Sequence, residues 1–166
     1  PGLAPLVESL VADGALTATT DAEGAAAAAS IHVVMVPTLI DAGNNPDLSA
    51  VESVVRAIAA GLAPGDVVLL ESTLPPRATT DVIEPLLVAE SGLAADCFGV
   101  AVCPERTSSG RALADIRGTH PKVVGGVDAE SGRAAELIYD ELVDNRIVRV
   151  PDATTAEAVK VFEGLY

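Results

Sequence analysis

Residues 67–92 have the sequence VVLLESTLPPRATTDVIEPLLVAESG, which contains a strand, a turn and a helix in that order. The short apolar run 67–71 is typical of a buried strand. Two prolines stiffen the turn that follows, and residues 79–91 have the apolar spacing of a helix, with Gly92 as its stop signal. Strand, turn and helix in this order form the repeating unit of a parallel, doubly wound sheet.

The same alternation extends in both directions from this segment. Further strands are predicted at residues 31–36, 98–102, 122–125 and 146–150, and further helices at 3–12, 21–29, 48–62, 129–142 and 154–166. A polar loop rich in Gly, Asn and Pro occupies residues 41–47. We therefore predict an α/β fold, a partial and Rossmann-like parallel sheet with helices on both faces. A domain boundary is expected near Pro151-Asp152, where the last helix leaves the sheet domain.

Composition limits the possible partners. The 166 residues carry a net charge of −14, and the only lysines are Lys122 and Lys160. Such a negative field repels nucleic acid and anionic membranes, so we expect neither as a partner. Either the surface is simply acidic, or the protein belongs to a halophilic proteome; scarce lysine favours the second. Without a leader or a long apolar run, a soluble, cytoplasmic protein is expected.

The two cysteines are predicted to be free thiols. Cys97 and Cys103 flank one apolar run, and a strand there would separate their Cα atoms by roughly 20 Å. A disulfide requires less than about 7 Å. Two cysteines without a histidine cluster also do not make a zinc site, so both are interpreted as packing residues.

The sequence lacks the phosphate-binding signature of a complete dinucleotide-binding domain. That signature is a glycine-rich turn, G-x-G-x-x-G, directly after the first strand, with an acidic residue about 20 positions later. Gly125-Gly126 follows a predicted strand, but Gly132 is too far away to complete the motif. We therefore expect the first half of the doubly wound domain to be missing from this chain.

Three loops that follow predicted strands combine proline with polar side chains. They are Val36-Pro37-Thr38, Glu71-Ser72-Thr73-Leu74-Pro75-Pro76 and Cys103-Pro104-Glu105-Arg106. Ligands of open α/β sheets bind at the carboxyl ends of the strands, where these loops lie. Each loop alone is compatible with an ordinary turn, a helix cap or a surface ion pair. Three of them at one edge of one sheet favour a ligand site.

Other candidates are weaker. Lys160 lies on the last predicted helix, where a lysine is usually solvated, but a specific role is favoured because this chain has so few lysines. His32 is interpreted as a packed residue inside a strand, and His120 as structural or exposed. The segment Ser108-Ser109-Gly110 is either a flexible loop or a substrate lid.

Five segments resemble, in their order and spacing, motifs of the UDP-glucose/GDP-mannose 6-dehydrogenase family. They are Val36-Pro37-Thr38, Glu71-Ser72-Thr73-Leu74-Pro75-Pro76, Pro104-Glu105-Arg106, Pro121-Lys122-Val123-Val124-Gly125-Gly126 and Thr155-Ala156-Glu157-Ala158-Val159-Lys160. The opening Pro1-Gly2-Leu3 also resembles a segment that precedes a helix in this family. The resemblance covers essentially the whole chain and depends on the ordered set, because each motif alone is weak.

The resemblance implies an architecture and an activity for the full-length protein. Members have an NAD-binding Rossmann domain, a central helical domain that forms a homodimer, and a third domain that binds the sugar nucleotide. Residues 1–150 would be the C-terminal part of the first domain, and residues 151–166 the start of the central dimerisation helix. The family oxidises C6 of a nucleotide sugar from alcohol to carboxylate with two NAD+, through a thiohemiacetal and a thioester on a cysteine of the third domain.

The resemblance also assigns roles to individual residues. The cofactor would be bordered by Pro37, Thr38, Glu71, Ser72 and Thr73, with Thr38 and Thr73 at its nicotinamide end. Thr73 would also orient a water. Glu105 matches the general base of thioester hydrolysis, a role suited to a carboxyl whose pKa is raised by partial burial. Lys160 matches the lysine that stabilises the oxyanion at C6. The UDP-sugar substrate would be contacted by Glu105, Arg106 and Lys160.

The sequence departs from the family in ways that keep alternatives open. Gly164 stands where the family usually has an asparagine, and the catalytic cysteine and the sugar-binding domain are absent. This segment alone is therefore expected to be inactive. A non-catalytic nucleotide-binding or regulatory module, or another NAD-dependent hydroxyacid dehydrogenase, remains possible. Within the family, Glu105-Arg106 followed by Ser109-Gly110 resembles the UDP-N-acetylmannosamine branch more than the UDP-glucose branch.

Overall fold

A computed structural model describes residues 2–164, and a five-stranded sheet forms its centre. The strands are β1 (Ile31–Val34), β2 (Leu39–Ile40), β3 (Pro46–Asp47), β4 (Val67–Leu70), β5 (Gly99–Val102), β6 (Lys122–Gly126) and β7 (Ile147–Arg149). The helices are α1 (Leu3–Ala12), α2 (Ala22–Ala27), α3 (Ser49–Gly61), α4 (Glu84–Ser91), α5 (Ala112–Ala114), α6 (Ala129–Asp140) and α7 (Ala153–Glu163). A π-helical turn, Thr79–Ile83, leads into α4, and a second one, Asp115–Thr119, continues α5.

The sheet has the strand order β1-β4-β5-β6-β7 and separates two apolar clusters. On one face, α2, α3, α4 and α7 pack against Val34, Leu70 and Val102. On the other face, α6 packs against Leu69 and Ala101. Successive strand residues alternate between the two clusters, as the pleat of a strand requires. The predicted α/β sheet with helices on both faces is confirmed.

One pair of strands runs against the rest of the sheet. β1, β4 and β5 are mutually parallel, but β5 and β6 are antiparallel, with Ala101 opposite Gly126. β7 is parallel to β6. The predicted parallel sheet therefore contains one antiparallel pair, β5 and β6. The connection from β5 to β6 contains only α5 and its π-helical turn, and it does not cross the sheet as a parallel neighbour would need.

The predicted helix boundaries agree closely with the structure. Asp21 caps α2 through a bond from the Gly24 backbone N–H, and Gly92 ends α4 in the left-handed conformation. The predicted end of the last helix at Tyr166 and the opening Pro1 lie outside the described residues. The sequence reasoning missed α5 and the small β2–β3 hairpin. Cys97 and Cys103 are free thiols, as expected.

The α6 face of the sheet is only partly covered within residues 2–164. Ile31 and Val33 of β1, and Met35 just after it, are about half exposed. Leu137 and Leu142 beside them are exposed as well. In the same part of the chain, no helix is both long and apolar enough to cross a membrane.

Candidate active site

The loops after β1, β4 and β5 are joined by hydrogen bonds at one edge of the sheet. Ser72 Oγ accepts a bond from the Val36 backbone N–H at 2.8 Å and donates to the Val36 carbonyl at 2.8 Å. The Glu105 backbone N–H donates to the Glu71 carbonyl at 3.0 Å. The structure thus brings the three proline-containing loops together. The Ser72 hydroxyl serves as the tether between two of them, while Pro37 and Thr73 are exposed at the rim and Thr38 is half-buried.

Lys160 and Glu105 meet at this edge. Lys160 Nζ lies 3.7 Å from Glu105 Oε2 and donates a hydrogen bond to the Glu105 carbonyl. The other carboxylate oxygen, Oε1, accepts a bond from the Thr107 backbone N–H. Both side chains are about one-quarter exposed, so a ligand can still reach them. The arrangement places one cation and one carboxylate next to each other at the mouth of the site.

Glu105 has an acidic pKa in this environment. Burial raises the pKa of its carboxyl, but hydrogen bonds from Thr107 and the charge of Lys160 outweigh burial, and the net pKa lies below the ordinary value. The expectation that partial burial would raise this pKa is therefore wrong here. A carboxyl with a lowered pKa is ionised at neutral pH and able to accept a proton.

A direct prediction follows for Lys160→Met. Removing the ammonium takes away one of the interactions that stabilise the Glu105 carboxylate, so the pKa of Glu105 should rise toward its ordinary value. Carboxyl ¹³C NMR titration of the wild type and the variant measures this shift. An unchanged Glu105 titration would show that the two groups do not interact. Arg133→Met is the matched control, because it removes an exposed cation on α6.

Arg106 is bound to helix α7. Its Nε lies 3.0 and 2.8 Å from the two carboxylate oxygens of Glu163, and its Nη1 donates to the Pro121 carbonyl at 2.8 Å. The charge and hydrogen bonds of Arg106 lower the pKa of Glu163, although burial opposes this. Arg106 therefore connects the loop after β5 to α7 in this structure, and its predicted contact with substrate stays a prediction.

Glu71 lies beneath the edge in a buried polar cluster. Lys122 Nζ is 2.8 Å from Glu71 Oε1 and 2.8 Å from the Cys103 carbonyl, and it lies 4.3 Å from the centre of the Tyr139 ring. The Tyr139 hydroxyl also donates to Glu71 Oε1. Burial, then the neighbouring Cys103 and Glu71, raise the pKa of Tyr139. Glu71 was predicted to lie beside the cofactor, but its carboxylate is engaged here by Lys122 and Tyr139.

Cys103 belongs to the same region, and its side chain is fully buried. Burial raises the pKa of its thiol to about 12, with Lys122 opposing and Glu71 reinforcing the shift. The thiol is therefore protonated at neutral pH and is a poor nucleophile. This agrees with the interpretation of Cys103 as a packing residue.

Lys122→Met is expected to destabilise the protein, because it disrupts the buried cluster of Glu71, Lys122 and Tyr139. The substitution leaves the Glu71 carboxylate buried with only Tyr139 as a side-chain partner, and we expect it to lower the free energy of unfolding by about 2 kcal/mol. Urea denaturation measures the effect. Arg133→Met is the matched control, because Arg133 is an exposed cation on α6. Equal losses in both variants would contradict a structural role for the ion pair.

A cavity of about 310 Å³ opens beside these groups. Its walls include Glu71, Glu105, Arg106 and Lys122, together with apolar side chains such as Met35. Thr38, Thr73 and Lys160 do not line it. The cavity therefore joins only part of the predicted residue set, and the two threonines lie outside it.

The two histidines are located as expected, except that His120 also borders the cavity. His32 is buried on β1, with its Nε2 3.6 Å from Asp66 Oδ2, in agreement with a packed residue. His120 is exposed.

Gly125 and Gly126 have a packing role. A Cβ on Gly125 would lie 2.3 Å from the Asp152 carbonyl oxygen, and one on Gly126 would lie 2.2 Å from the Gly132 nitrogen.

The sequence pattern indicates no role for Glu157, although this residue lies between Thr155 and Lys160 in the last of the five family-like segments. Its carboxylate is buried and bonds to the segment after β4. The available signal was an acidic residue one turn before Lys160 on a face otherwise made of small residues. Tyr139 and Glu163 were missed in the same way, because their partners are distant in sequence.

A doubly wound sheet with polar loops at the carboxyl edge of its parallel strands has the architecture of a dinucleotide-binding domain. Residues 1–143 match the model of the UDP-glucose/GDP-mannose dehydrogenase family, NAD binding domain, and the chain belongs to this family. NAD is therefore the cofactor of the domain, as predicted, and the suspected family membership is confirmed.

Individual relatives agree with this assignment. An NDP-N-acetyl-D-galactosaminuronic acid dehydrogenase of Ralstonia nicotianae is 35% identical over 100% of this chain and 40% of its own length. A UDP-N-acetyl-D-mannosamine dehydrogenase of Methanococcus maripaludis is 32% identical over 100% of this chain and 36% of its own length. The chain thus spans about two-fifths or less of these relatives.

Solved structures show the same relation. A ternary complex of GDP-mannose dehydrogenase from Pseudomonas aeruginosa superposes with a TM-score of 0.91 at 29% identity, over 99% of this chain and 38% of that one. An NDP-N-acetyl-D-galactosaminuronic acid dehydrogenase from Methanosarcina mazei Go1 has a TM-score of 0.89 at 32% identity, over 98% of this chain and 34% of that one.

Proposed function

We propose that this chain is the later part of the NAD-binding domain of a nucleotide-sugar 6-dehydrogenase, which oxidises the C6 alcohol of a UDP-sugar to a carboxylate. The observation that carries the proposal is the juxtaposition of Lys160 and Glu105, 3.7 Å apart at the carboxyl edge of the sheet. When bound, NAD+ would supply the hydride acceptor for each of the two successive oxidations. The chain supplies the groups that handle charge and protons around the sugar C6.

Lys160 and Glu105 have complementary roles in this proposal. The ammonium of Lys160 stabilises the negative charge on the C6 oxygen as the hydroxyl proton passes to water, before C6 gives up its hydride and the oxygen becomes a neutral carbonyl. Glu105 acts in the final step, where it takes a proton from the water that attacks the thioester carbonyl. The leaving group is the cysteine thiolate of another domain, and the product is a uronate.

The cofactor lies along the loops after β1 and β4 in this proposal. Pro37, Thr38 and Thr73 border its nicotinamide end, and Ser72 keeps the two loops in register through its bonds to Val36. Glu71 supports this surface from beneath. Arg106 orders the loop that carries Glu105, and a contact with the substrate is part of the proposal.

The domain assignment is part of the same proposal. Residues 1–150 are the C-terminal part of the NAD-binding domain, and residues 151–166 begin the central helix through which the full-length protein forms a homodimer. The half-exposed Ile31 and Val33 on β1 support the first part, because such side chains are usually covered by a further layer of a domain. Ala153 and Ala156 are fully buried, so the start of α7 is anchored on the sheet.

The proposed sugar carries an N-acetyl group. The pattern Glu105-Arg106 with Ser109-Gly110 suggests the UDP-N-acetylmannosamine branch, and relatives from Methanococcus maripaludis and Pyrococcus horikoshii with that substrate name support it. UDP-glucose is the second candidate, because a UDP-glucose dehydrogenase from Pyrobaculum islandicum superposes with a TM-score of 0.89.

A non-catalytic nucleotide-binding or regulatory module is the second candidate function, and Gly164 favours it. Gly164 has φ −71°, a conformation open to every residue, and the backbone does not require glycine there. The usual asparagine could therefore be accommodated, and its absence removes a side chain that would help to hold the oxyanion.

The test is NADH formation by the full-length protein with UDP-N-acetylmannosamine, UDP-N-acetylgalactosamine, UDP-glucose and GDP-mannose. Two NADH per uronate with one of these sugars is the expected result. NAD binding without turnover of any of them would support the regulatory module instead. The 166-residue chain alone should show no NAD turnover, because it has no G-x-G-x-x-G phosphate loop.

A further inference from the structure

Glu157 on α7 is a buried acid to which the proposed chemistry gives no role. Only 1% of it is exposed, and both of its carboxylate oxygens have partners. Oε1 accepts bonds from the Thr79 backbone N–H at 2.8 Å and from the Thr79 hydroxyl at 2.6 Å. Oε2 accepts a bond from the Arg77 backbone N–H at 2.6 Å. A single side chain of α7 thus binds the segment after β4 at three points.

The segment that Glu157 binds has an unusual backbone. Arg77 has φ +77°, in the left-handed region that a non-glycine residue rarely adopts, and Thr79 begins the π-helical turn before α4. Such a conformation persists only when the surroundings hold it. Glu157 supplies that support from a distant part of the chain, and in return the segment fixes α7.

Lys160 lies one turn beyond Glu157 on the same side of the helix, because residues three apart are neighbours on a helix surface. Its ammonium is bonded to the Glu105 carbonyl and lies 3.7 Å from the Glu105 carboxylate. Rotation or sliding of α7 would therefore move Lys160 away from Glu105. Glu157 is the buried hydrogen-bonding contact that opposes both motions, in addition to the packing of Ala153 and Ala156, while the ion pair between Arg106 and Glu163 is more exposed.

We propose that Glu157 is a positioning residue, which fixes the rotation and height of α7 on the segment after β4 and thereby places Lys160 beside Glu105. This inference rests on the proposed function of Lys160. Glu157 does not touch the reacting atoms, and its effect on catalysis passes through Lys160.

Two substitutions separate the contacts, and a third serves as the control. Glu157→Gln keeps the size of the side chain but turns an NH₂ group toward a backbone N–H, so one donor loses its acceptor. Thr79→Val removes only the hydroxyl contact, and the backbone N–H of Thr79 keeps its bond. Glu130→Gln is the matched control, because Glu130 is an exposed acid in the first turn of α6.

The first readout is structural and needs no activity. In the full-length protein, lysine labelled with ¹³C at Cε gives signals for Lys122 and Lys160, which are assigned by their loss in Lys122→Arg and Lys160→Arg. Glu157→Gln should shift the Lys160 signal, Thr79→Val should shift it less, and Lys122 should stay in place. Movement of both lysines together, or of neither, would overturn the proposal. If Glu157→Gln does not fold, Thr79→Val decides.

The second readout is kinetic and uses the full-length protein. Glu157→Gln should lower kcat about tenfold with little change in the KM for NAD+, because Glu157 bonds Arg77 and Thr79 and none of the proposed cofactor residues. In a Lys160→Ala background the same substitution should cause no further loss, because it acts through the removed ammonium. Independent, multiplying losses would overturn the proposal. Inactivity of the wild type would defeat the proposed function while leaving the lysine signals to test Glu157.

Discussion

Replacing Lys160 with methionine in the full-length protein is expected to lower kcat for NAD+ reduction about 10²- to 10³-fold. Methionine has a similar length but no charge, so the oxyanion at C6 would lose its closest cation. Binding of NAD+ should be almost unchanged, because Lys160 faces Glu105 and not the loop after β1. Steady-state kinetics with saturating sugar nucleotide and calorimetric titration of NAD+ separate the two effects.

The control for this experiment is Arg133→Met, which removes an exposed cation of α6 far from the edge. It should leave kcat at the wild-type value. A Lys160→Met enzyme with nearly full kcat would remove the central residue from the proposed site. A loss confined to NAD+ binding would assign Lys160 to the cofactor instead.

Replacing Glu105 with glutamine is expected to stop the full-length protein after the second hydride transfer. The amide cannot accept the proton of the attacking water, so the thioester should accumulate and steady-state turnover should fall about 10²- to 10⁴-fold. Rapid-quench analysis should show a burst of NADH and a sugar bound covalently to the protein. Glu130→Gln, an exposed acid on α6, is the matched control.

Release of free uronate by Glu105→Gln at the wild-type rate would contradict the role in hydrolysis. Loss of the first NADH as well would move the role of Glu105 to the initial oxidation. The lowered pKa of Glu105 is consistent with a group that is ionised before the reaction begins. If Lys160 turns toward the sugar oxygen, one of the interactions that lower this pKa is weakened, and the carboxylate becomes a stronger base.

The strands and the edge that carries the site could be predicted from local patterns. All five strands of the main sheet were located, because short apolar runs between turn signals indicate buried strands. The reversal at β6 could not be predicted from any run alone. The sequence does offer one indication: no crossover helix is predicted between β5 and β6, and without such a helix the two strands cannot be parallel neighbours.

The direction of Glu71 could have been predicted from the alternation of strand residues. Leu69 faces the α6 side, and Glu71, two positions later, faces the same way toward Tyr139. The same parity puts Cys103 with Ala101, and Lys122 with Val124. The resemblance to known dehydrogenases predicts that Glu71 lies close to the cofactor but contains no information about which face of the sheet it occupies.

Glu157 and Glu163 are harder cases for sequence reasoning. Their partners, Thr79 and Arg106, are 78 and 57 positions away in the chain. Only the packing of α7 against both loops brings these pairs together. An acid three residues before the lysine is equally compatible with a solvated helix face and with a buried contact. Only the structure, in which Glu157 is buried, distinguishes the two.

The close approach of Asp152 to Gly125 has a consequence for engineering. This contact fixes where α7 begins. The seven residues from Ala153 to Val159, about 10 Å of helix, then determine the position of the Lys160 ammonium. Deleting one residue from that interval would turn the lysine by about 100°, whereas deleting a whole turn would keep its direction and shorten its reach by about 5 Å. Chimeras that graft a different helix in place of α7 must therefore preserve the residue count from Asp152 to Lys160.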